Sequence, residues 1–193
     1  MRPPEALDNL LKTGVVESKE GFWFLKGRGE LVAKRLVGEK ESARKMVIAI
    51  KAGKLLKFVP FLRAVLVCNS VAEGSAREES DIDLLVVADV KRIWIVRFFA
   101  NLVLKFFRLR TGKGHDRDKI CLSYFIDANT LNFSNIRIAK DDIHKAFWIS
   151  QLVTIYDSAK FAERIVHANG WIRDLVPGVL HARKAEEKFL VTD

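Results

Sequence analysis

Cysteine and proline are scarce in this chain, which has two cysteines and four prolines among 193 residues. Cys68 and Cys121 both lie inside apolar runs, so we expect two buried thiols rather than a disulfide bond, in a reducing compartment such as the cytoplasm. The histidines show no zinc-ligand spacing relative to these cysteines. Nothing at the start resembles a signal peptide, because Met1 leads into a polar helical pattern. These shortages exclude a disulfide-stabilised scaffold and a zinc finger as the basis of the fold.

Acidic residues are outnumbered, since 24 Asp and Glu oppose 33 Lys and Arg and leave a formal net charge of +9. An excess of this size favours an anionic partner such as a nucleotide, a nucleic acid or an acidic surface. The apolar content of 49% and the charged content of 30% are typical of a folded protein. The length suffices for one complete core with an appendage. We therefore expect one main folded core and an anionic ligand.

Two apolar runs separated by a polar, glycine-containing connection form the most informative stretch. The first run ends at Asn69 and Ser70, and the second begins with Asp81 and Asp83. Because these two acids are two residues apart, they point to the same face of a strand. Carboxylates held side by side repel each other, and a hard divalent cation with oxygen ligands relieves that repulsion. The pattern favours a metal site for a phosphate-bearing ligand over a pair of solvated acids at a strand start.

Residues 65–87 resemble the signature of the DNA polymerase β-type nucleotidyltransferase superfamily, especially its minimal members. In that superfamily a strand ends in Gly-Ser, a short helix follows, and the next strand carries Asp-x-Asp. Here those positions hold Asn69-Ser70 and Asp81-Ile82-Asp83. Asn69 departs from the family glycine, but asparagine is the non-glycine residue that best tolerates a left-handed backbone. The resemblance implies an α/β fold with a small mixed sheet and flanking helices, centred on residues 58–139.

The same resemblance implies an activity, namely Mg²⁺-dependent transfer of a nucleoside monophosphate from a nucleoside triphosphate to an acceptor. Two Mg²⁺ ions are expected when nucleotide is bound. Asp81 and Asp83 would be the catalytic and metal-binding residues. The residues implied in binding the triphosphate are Asn69, Ser70, Arg77 and Ser80.

Active members of the superfamily usually carry a third acidic residue on the following strand. The aligned positions here are Cys121 and Ser123, neither of which is acidic. Asp118 and Asp127 lie at the two ends of that strand and would substitute only in a different register. The alternative is therefore a catalytically degenerate domain that binds nucleotide or nucleic acid without turnover, and a third possibility is a pure packing or interaction module.

The N-terminal part, residues 1–29, predicts a helix followed by an apolar hairpin, which resembles the last half of a winged-helix domain. This element either packs against the core or binds nucleic acid. In the second case the phosphate contacts would be Lys12, Lys19, Lys26 and Arg28.

Residues 30–57 predict a basic connecting helix in which Gly38 and Gly53 mark candidate breaks. We expect its row of cations, Lys45 included, to be solvated. The C-terminal part, residues 140–193, predicts further helices.

A strongly apolar helical segment from about Val90 to Arg110 follows the second core strand, with Asp89 as its candidate N-cap. Arg97, Lys105 and Arg108, which recur along the segment, argue against a membrane span. Because the segment is apolar on nearly every side, we expect it to be buried between the sheet and other helices. We accordingly expect no membrane partner, and an interfacial membrane helix is the alternative.

Overall fold

The computed structural model describes residues 3–112, 116–178 and 181–185 of an α/β protein. A five-stranded mixed sheet forms the core, and a separate two-stranded hairpin precedes it. The helices are α1 (Pro3–Lys12), α2 (Glu30–Leu56), α3 (Asn69–Glu73), α4 (Ile93–Phe106), α5 (Ile143–Ser150), α6 (Phe161–Ala168) and α7 (Ile172–Leu175). The strands are β1 (Val16–Lys19), β2 (Phe22–Leu25), β3 (Leu62–Val67), β4 (Ile82–Ala88), β5 (Ile120–Asp127), β6 (Val153–Asp157) and β7 (Arg183–Lys184).

The core sheet has the strand order β5-β4-β3-β6-β7. β3 runs antiparallel to both of its neighbours, whereas β4 and β5 are parallel. Apart from Arg63 and Asp83, β3 and β4 are apolar because helices cover both faces of the sheet. Side chains such as Val65 and Val67 pack towards α2 and α4, and Ala64 and Leu66 pack towards α5, α6 and α7. The molecule therefore has three layers, with the sheet in the middle.

The helix and hairpin predicted at the N-terminus are confirmed as α1, β1 and β2. The further helices predicted for residues 140–193 are only partly correct, since β6 and β7 lie in the same range and join the sheet. Val153, Thr154 and Ile155 are β-branched, and such side chains favour strands when an edge is available for pairing. Residues 179–180 and 186–193 of that range lie outside the described residues.

The connecting helix is continuous over its 27 residues, so the breaks expected at Gly38 and Gly53 are wrong. Both glycines instead mark close packing. A Cβ on Gly38 would lie 3.2 Å from the Cα of Ser75, and a Cβ on Gly53 would lie 3.2 Å from Cδ1 of Ile155. α2 thus approaches the α3–β4 connection and β6 more closely than a larger residue allows.

The apolar helix begins at Ile93 rather than at Val90, and Asp89 is not its N-cap. The Asp89 carboxylate accepts a hydrogen bond from the backbone N–H of Val90 and forms an ion pair with Arg63. Asp89 therefore closes the turn that precedes the helix.

The expected burial of this helix is wrong for its outer side. Val96, Ala100 and Leu104 are fully buried, but Trp94 is 78% exposed and Phe106 is 79% exposed. α4 covers one face of the sheet with a narrow stripe, and no other described element covers its opposite side. No helix in the described ranges is both long enough and apolar enough to cross a bilayer.

Candidate metal centre

The two acids of the motif meet a cysteine where β4 and β5 begin. β5 lies beside β4 in parallel register, with Asp83 opposite Cys121. One ligand atom from each of Asp81, Asp83 and Cys121 lies within 4.8 Å of the other two, and all three residues are half-buried. Within the described ranges this is the one group of three or more His, Cys, Asp or Glu residues that could hold a metal ion. The structure therefore brings Asp81 and Asp83 together, as the motif predicts.

β5 contributes a polar group beside each acid. The Ser123 hydroxyl donates a hydrogen bond to Asp83, and the Cys121 sulfur lies within 4.8 Å of a carboxylate oxygen of Asp81. Cys121 and Ser123 thus face the acid pair, at the positions aligned with the third carboxylate of active nucleotidyltransferases. The site has two carboxylates, one thiol and one hydroxyl, whereas the resemblance implies three carboxylates in an active member of the superfamily.

Burial and mutual repulsion disfavour two negative charges on the acid pair. Burial raises the pKa of Asp81, and the neighbouring Asp83 charge raises it further, while the nearby Cys121 thiol lowers it by a smaller amount. Burial likewise raises the pKa of the Cys121 thiol. A positive charge bound between these groups would lower both pKa values, so the local field favours a cation.

Neither alternative acid joins the cluster. Asp118 is held by a bidentate contact from Arg44, with distances of 2.7 and 2.9 Å, and by Lys45 Nζ at 2.7 Å. The hydrogen bonds from Arg44, aided by Lys45 and opposed by burial, lower the pKa of Asp118 to about 2. Asp127 lies at the far end of β5, where it accepts hydrogen bonds from the backbone N–H groups of Lys91 and Asn129. Both acids therefore stabilise local structure.

The turn after β3 adopts the left-handed backbone that the sequence allowed for. Asn69 has φ +55°, and its side-chain oxygen accepts a 2.7 Å hydrogen bond from the Trp148 indole. Just before it, the backbone N–H of Cys68 donates to the carbonyl of Asp83 at 3.0 Å. The turn is thus placed at the same end of the sheet as the acid pair.

Ser70 follows Asn69 in α3, a helix of five residues that packs against α2 and β4. Of the other two residues expected to bind triphosphate, Arg77 is exposed in the α3–β4 connection. The Ser80 hydroxyl accepts a 3.1 Å hydrogen bond from the Arg77 backbone N–H and retains its own proton for donation. Ser80 therefore closes the turn that leads into Asp81.

Lys45 is the most important residue that the sequence interpretation missed. It was expected to be solvated, but it is fully buried. Its Nζ donates to the carbonyls of Ser80 at 2.8 Å and Glu78 at 3.0 Å, besides the bond to Asp118. Lys45 thereby holds Ser80, which precedes Asp81, and Asp118, which lies three residues before Cys121. The available signal was its place on the inward stripe of α2 between Ser42 and Met46.

Ser42, one turn earlier on α2, holds the other side of the same connection. Its hydroxyl accepts a 3.1 Å hydrogen bond from the Ala76 backbone N–H and lies 3.5 Å from the carbonyl of Ser70. Two buried polar side chains of α2, Ser42 and Lys45, therefore position the segment from α3 to Asp81. Their hydrogen bonds to this segment account for polar residues on the buried side of α2.

Comparisons with protein-family profiles, with curated proteins and with solved structures found no match to this chain. Its function is accordingly inferred from the residues of the site.

Proposed function

We propose that this chain binds a nucleoside triphosphate together with a divalent cation at Asp81 and Asp83. The observation that carries the proposal is the clustering of the two half-buried acids beside the left-handed turn at Asn69. A basic protein of net charge +9 attracts a polyphosphate, whereas the acid pair would repel it unless a cation lay between them. The cation and the nucleotide are therefore expected to bind together.

The donor set fits one Mg²⁺ ion. Mg²⁺ is usually held by one or two carboxylates, substrate phosphates and water, and Asp81 and Asp83 supply the two carboxylates. A second Mg²⁺ on the acceptor side would face Cys121 and Ser123. Because thiol sulfur is a poor ligand for so hard a cation, the residues present do not fit the second ion that the family resemblance implies.

Around this centre the remaining residues have separate roles. The Asn69-Ser70 turn and the exposed Arg77 would contact the triphosphate, and the Ser80 hydroxyl retains a proton to donate. Lys45 and Ser42 hold the α3–β4 connection at the geometry described above. When bound, the cation would neutralise phosphate charge, and the chain's own groups would orient the nucleotide.

Binding without turnover is the form of this function that Cys121 favours. Nucleotidyl transfer to an acceptor is the second candidate, because Asp81 and Asp83 stand together as that reaction requires. In that reaction an acceptor oxygen forms a bond to the α-phosphorus, and the bond to the departing pyrophosphate breaks. The described residues of the cluster offer no third carboxylate to accept the acceptor's proton.

Calorimetric titration of nucleoside triphosphate, with and without Mg²⁺, tests the binding proposal. We expect Mg²⁺-dependent binding by the native protein and its loss in the Asp81→Asn/Asp83→Asn variant. The matched control is Asp141→Asn/Asp174→Asn, which makes the same charge change at two exposed positions. Equal Mg²⁺-dependent binding by the native protein and the site variant would refute the site.

A pyrophosphate-release assay separates the two candidates. With nucleoside triphosphate, Mg²⁺ and a panel of hydroxyl-bearing acceptors, binding without turnover predicts no release above that of Asp81→Asn/Asp83→Asn. Release that depends on both acids would establish transfer and would show that Cys121 does not prevent it.

A further inference from the structure

The outer side of α4 is an exposed apolar stripe on a strongly basic segment of the chain. Trp94, Phe98, Leu102 and Phe106 recur every four residues, so they lie on one side of the helix. Phe98 is 64% exposed and Leu102 is 53% exposed, in addition to the two aromatic residues given above. Folding thus leaves four large apolar side chains in water along about 18 Å of helix. Such a contiguous patch is typical of an interaction surface.

The chain segment that carries this stripe has charges of one sign. From Val90 to Gly112 the chain contains no Asp or Glu but six cations, namely Lys91, Arg92, Arg97, Lys105, Arg108 and Arg110. All of these except Arg110 are exposed. Arg97 and Lys105 lie on α4 itself, and the Arg97 guanidinium lies 5.8 Å from the centre of the Trp94 ring. The surface that covers α4 is therefore expected to be apolar inside and anionic at its rim.

We propose that the outer face of α4 docks on the surface of a lipid bilayer that contains anionic lipids. An interfacial helix presents Trp, Phe and Leu to the acyl boundary and Lys or Arg to the headgroups, and Trp is enriched at the membrane–water interface. α4 has 14 residues, and a membrane-spanning helix needs about 20. The helix therefore lies along the surface. This replaces the expectation that the chain has no membrane partner, and it goes beyond the proposed nucleotide function.

Charge decides between a bilayer and a second copy of the chain. Two copies that met face to face through α4 would oppose the same set of cations without an acid in either segment, and the repulsion would weaken the contact. A bilayer with anionic lipids supplies both parts of the required surface, because its headgroups are negative and its interior is apolar.

Vesicle sedimentation provides the test. We expect the native protein to sediment with phosphatidylcholine vesicles that contain phosphatidylglycerol, and to bind pure phosphatidylcholine vesicles much more weakly. Phe98→Ser/Phe106→Ser should lower the partition coefficient at least about tenfold, since both side chains lose their burial in the acyl region. Arg97→Gln/Lys105→Gln/Arg108→Gln should lower it about a hundredfold, at about fivefold per cation.

Matched controls distinguish binding through the outer face of α4 from non-specific hydrophobic adsorption and from attraction due to the net charge. Trp23→Ser/Ile138→Ser removes two exposed apolar side chains from other elements, and Lys40→Gln/Lys51→Gln/Lys54→Gln removes three exposed cations from α2. Both controls should bind vesicles nearly as well as the native protein. All these substitutions lie at exposed positions, so a circular-dichroism spectrum equal to the native one is expected.

Four outcomes would overturn the proposal. These are no binding to anionic vesicles at low salt, equal binding by Phe98→Ser/Phe106→Ser, a dimer in sedimentation equilibrium that this variant abolishes, and a single-stranded oligonucleotide complex that this variant abolishes. The last two would assign the face to a second copy or to nucleic acid. None of the variants changes Asp81, Asp83 or Cys121, so failure here is distinguishable from failure of the proposed nucleotide function.

Discussion

Asp118 is the acid whose ionisation contributes most clearly to folding. Its pKa in the folded protein is about 2, below the ordinary value of 3.8, because of its hydrogen bonds to Arg44 and then Lys45. A carboxyl with a depressed folded-state pKa stabilises the protein above its unfolded pKa, and this contribution is lost as the pH falls towards the folded value. The difference corresponds to about 2 kcal/mol.

Urea denaturation from about pH 6, where the contribution is complete, to about pH 2, near the folded pKa, checks that linkage. We expect the free energy of unfolding of Asp118→Asn to lie below the native value at pH 6 and to approach it as the pH falls through 3.8. Asp174→Asn, at an exposed position, should follow the native curve throughout. A native-minus-variant difference that does not change with pH would contradict the assignment.

Cys121 occupies the position at which a third carboxylate would add negative charge to the candidate metal centre. In Cys121→Asp a third carboxylate would join two acids that already repel each other, as the raised pKa of Asp81 indicates. We expect the cation-free variant to be less stable than the native protein by about 1–2 kcal/mol. Mg²⁺ should raise its melting temperature by more than it raises that of the native protein.

The control for this prediction is Cys121→Ser, which keeps a polar group of similar size without a charge. Its melting temperature should respond to Mg²⁺ as the native one does. The same Mg²⁺ response in Cys121→Asp and Cys121→Ser would mean that Cys121 is not a third ligand position.

At the level of elements, α2 is positioned by how closely its two glycines let it approach its neighbours. The Cβ added in Gly38→Ala would meet backbone atoms of Gly74 and Ser75 at 3.2–3.4 Å, and backbone moves only with the whole connection. The Cβ added in Gly53→Ala would meet the side chain of Ile155, which has rotamer freedom. Alanine also gains up to about 1 kcal/mol of helix propensity over glycine.

We therefore expect Gly38→Ala to lose about 1–3 kcal/mol of stability, and Gly53→Ala to remain within about 1 kcal/mol of the native protein. Chemical denaturation measures both, and each variant is the control of the other. Because Gly38 faces the segment that leads to Asp81, we also expect Gly38→Ala alone to weaken nucleotide binding. Equal stability of the two variants would contradict this account of the packing.

The elements that sequence predicted well are those whose signals are local. The start of β4 and the turn at Asn69 follow from apolar runs and turn chemistry, and the clustering of Asp81 with Asp83 follows from strand periodicity. Lys45 was missed because its partners, Asp118 and two carbonyls, lie 33 to 73 residues away in the chain. β6 was predicted as helix because its partner strand, β3, is even more remote in the chain. The exposure of the outer side of α4 was not predicted, because the apolar composition of a helix does not show how many of its sides are covered by other elements.

For the whole molecule, the N-terminal helix and hairpin are attached to the rest mainly through the start of α2. α1, β1 and β2 make their main contacts with each other, and the hairpin forms a shallow groove with the α2 residues Leu31, Val32 and Arg35. We expect a chain lacking residues 1–28 to keep the five-stranded sheet and the proposed Mg²⁺-dependent nucleotide affinity. Its melting temperature should fall by only a few degrees, about the effect of 1 kcal/mol.

The same truncation tests whether the N-terminal part binds nucleic acid through Lys12, Lys19, Lys26 and Arg28. Residues 1–28 carry five cations and four acids, so their removal hardly alters the net charge. A mobility shift of duplex RNA or DNA at low salt that disappears with the truncation would support this role. A shift that persists would place the contacts elsewhere, and unfolding of the truncated chain would contradict the independence of the sheet.

α4 also connects the two strands that carry the candidate metal centre. It leaves from the end of β4, and the residues after it return to β5, where Arg110 bridges Ile120 immediately before Cys121. A protein anchored through the outer face of this crossover would stop tumbling freely, and the proposed nucleotide site would keep one fixed orientation towards the membrane surface. Any acceptor would then have to approach the site from a single direction. The orientation of the protein would therefore restrict which acceptors reach the site, independently of their chemical reactivity.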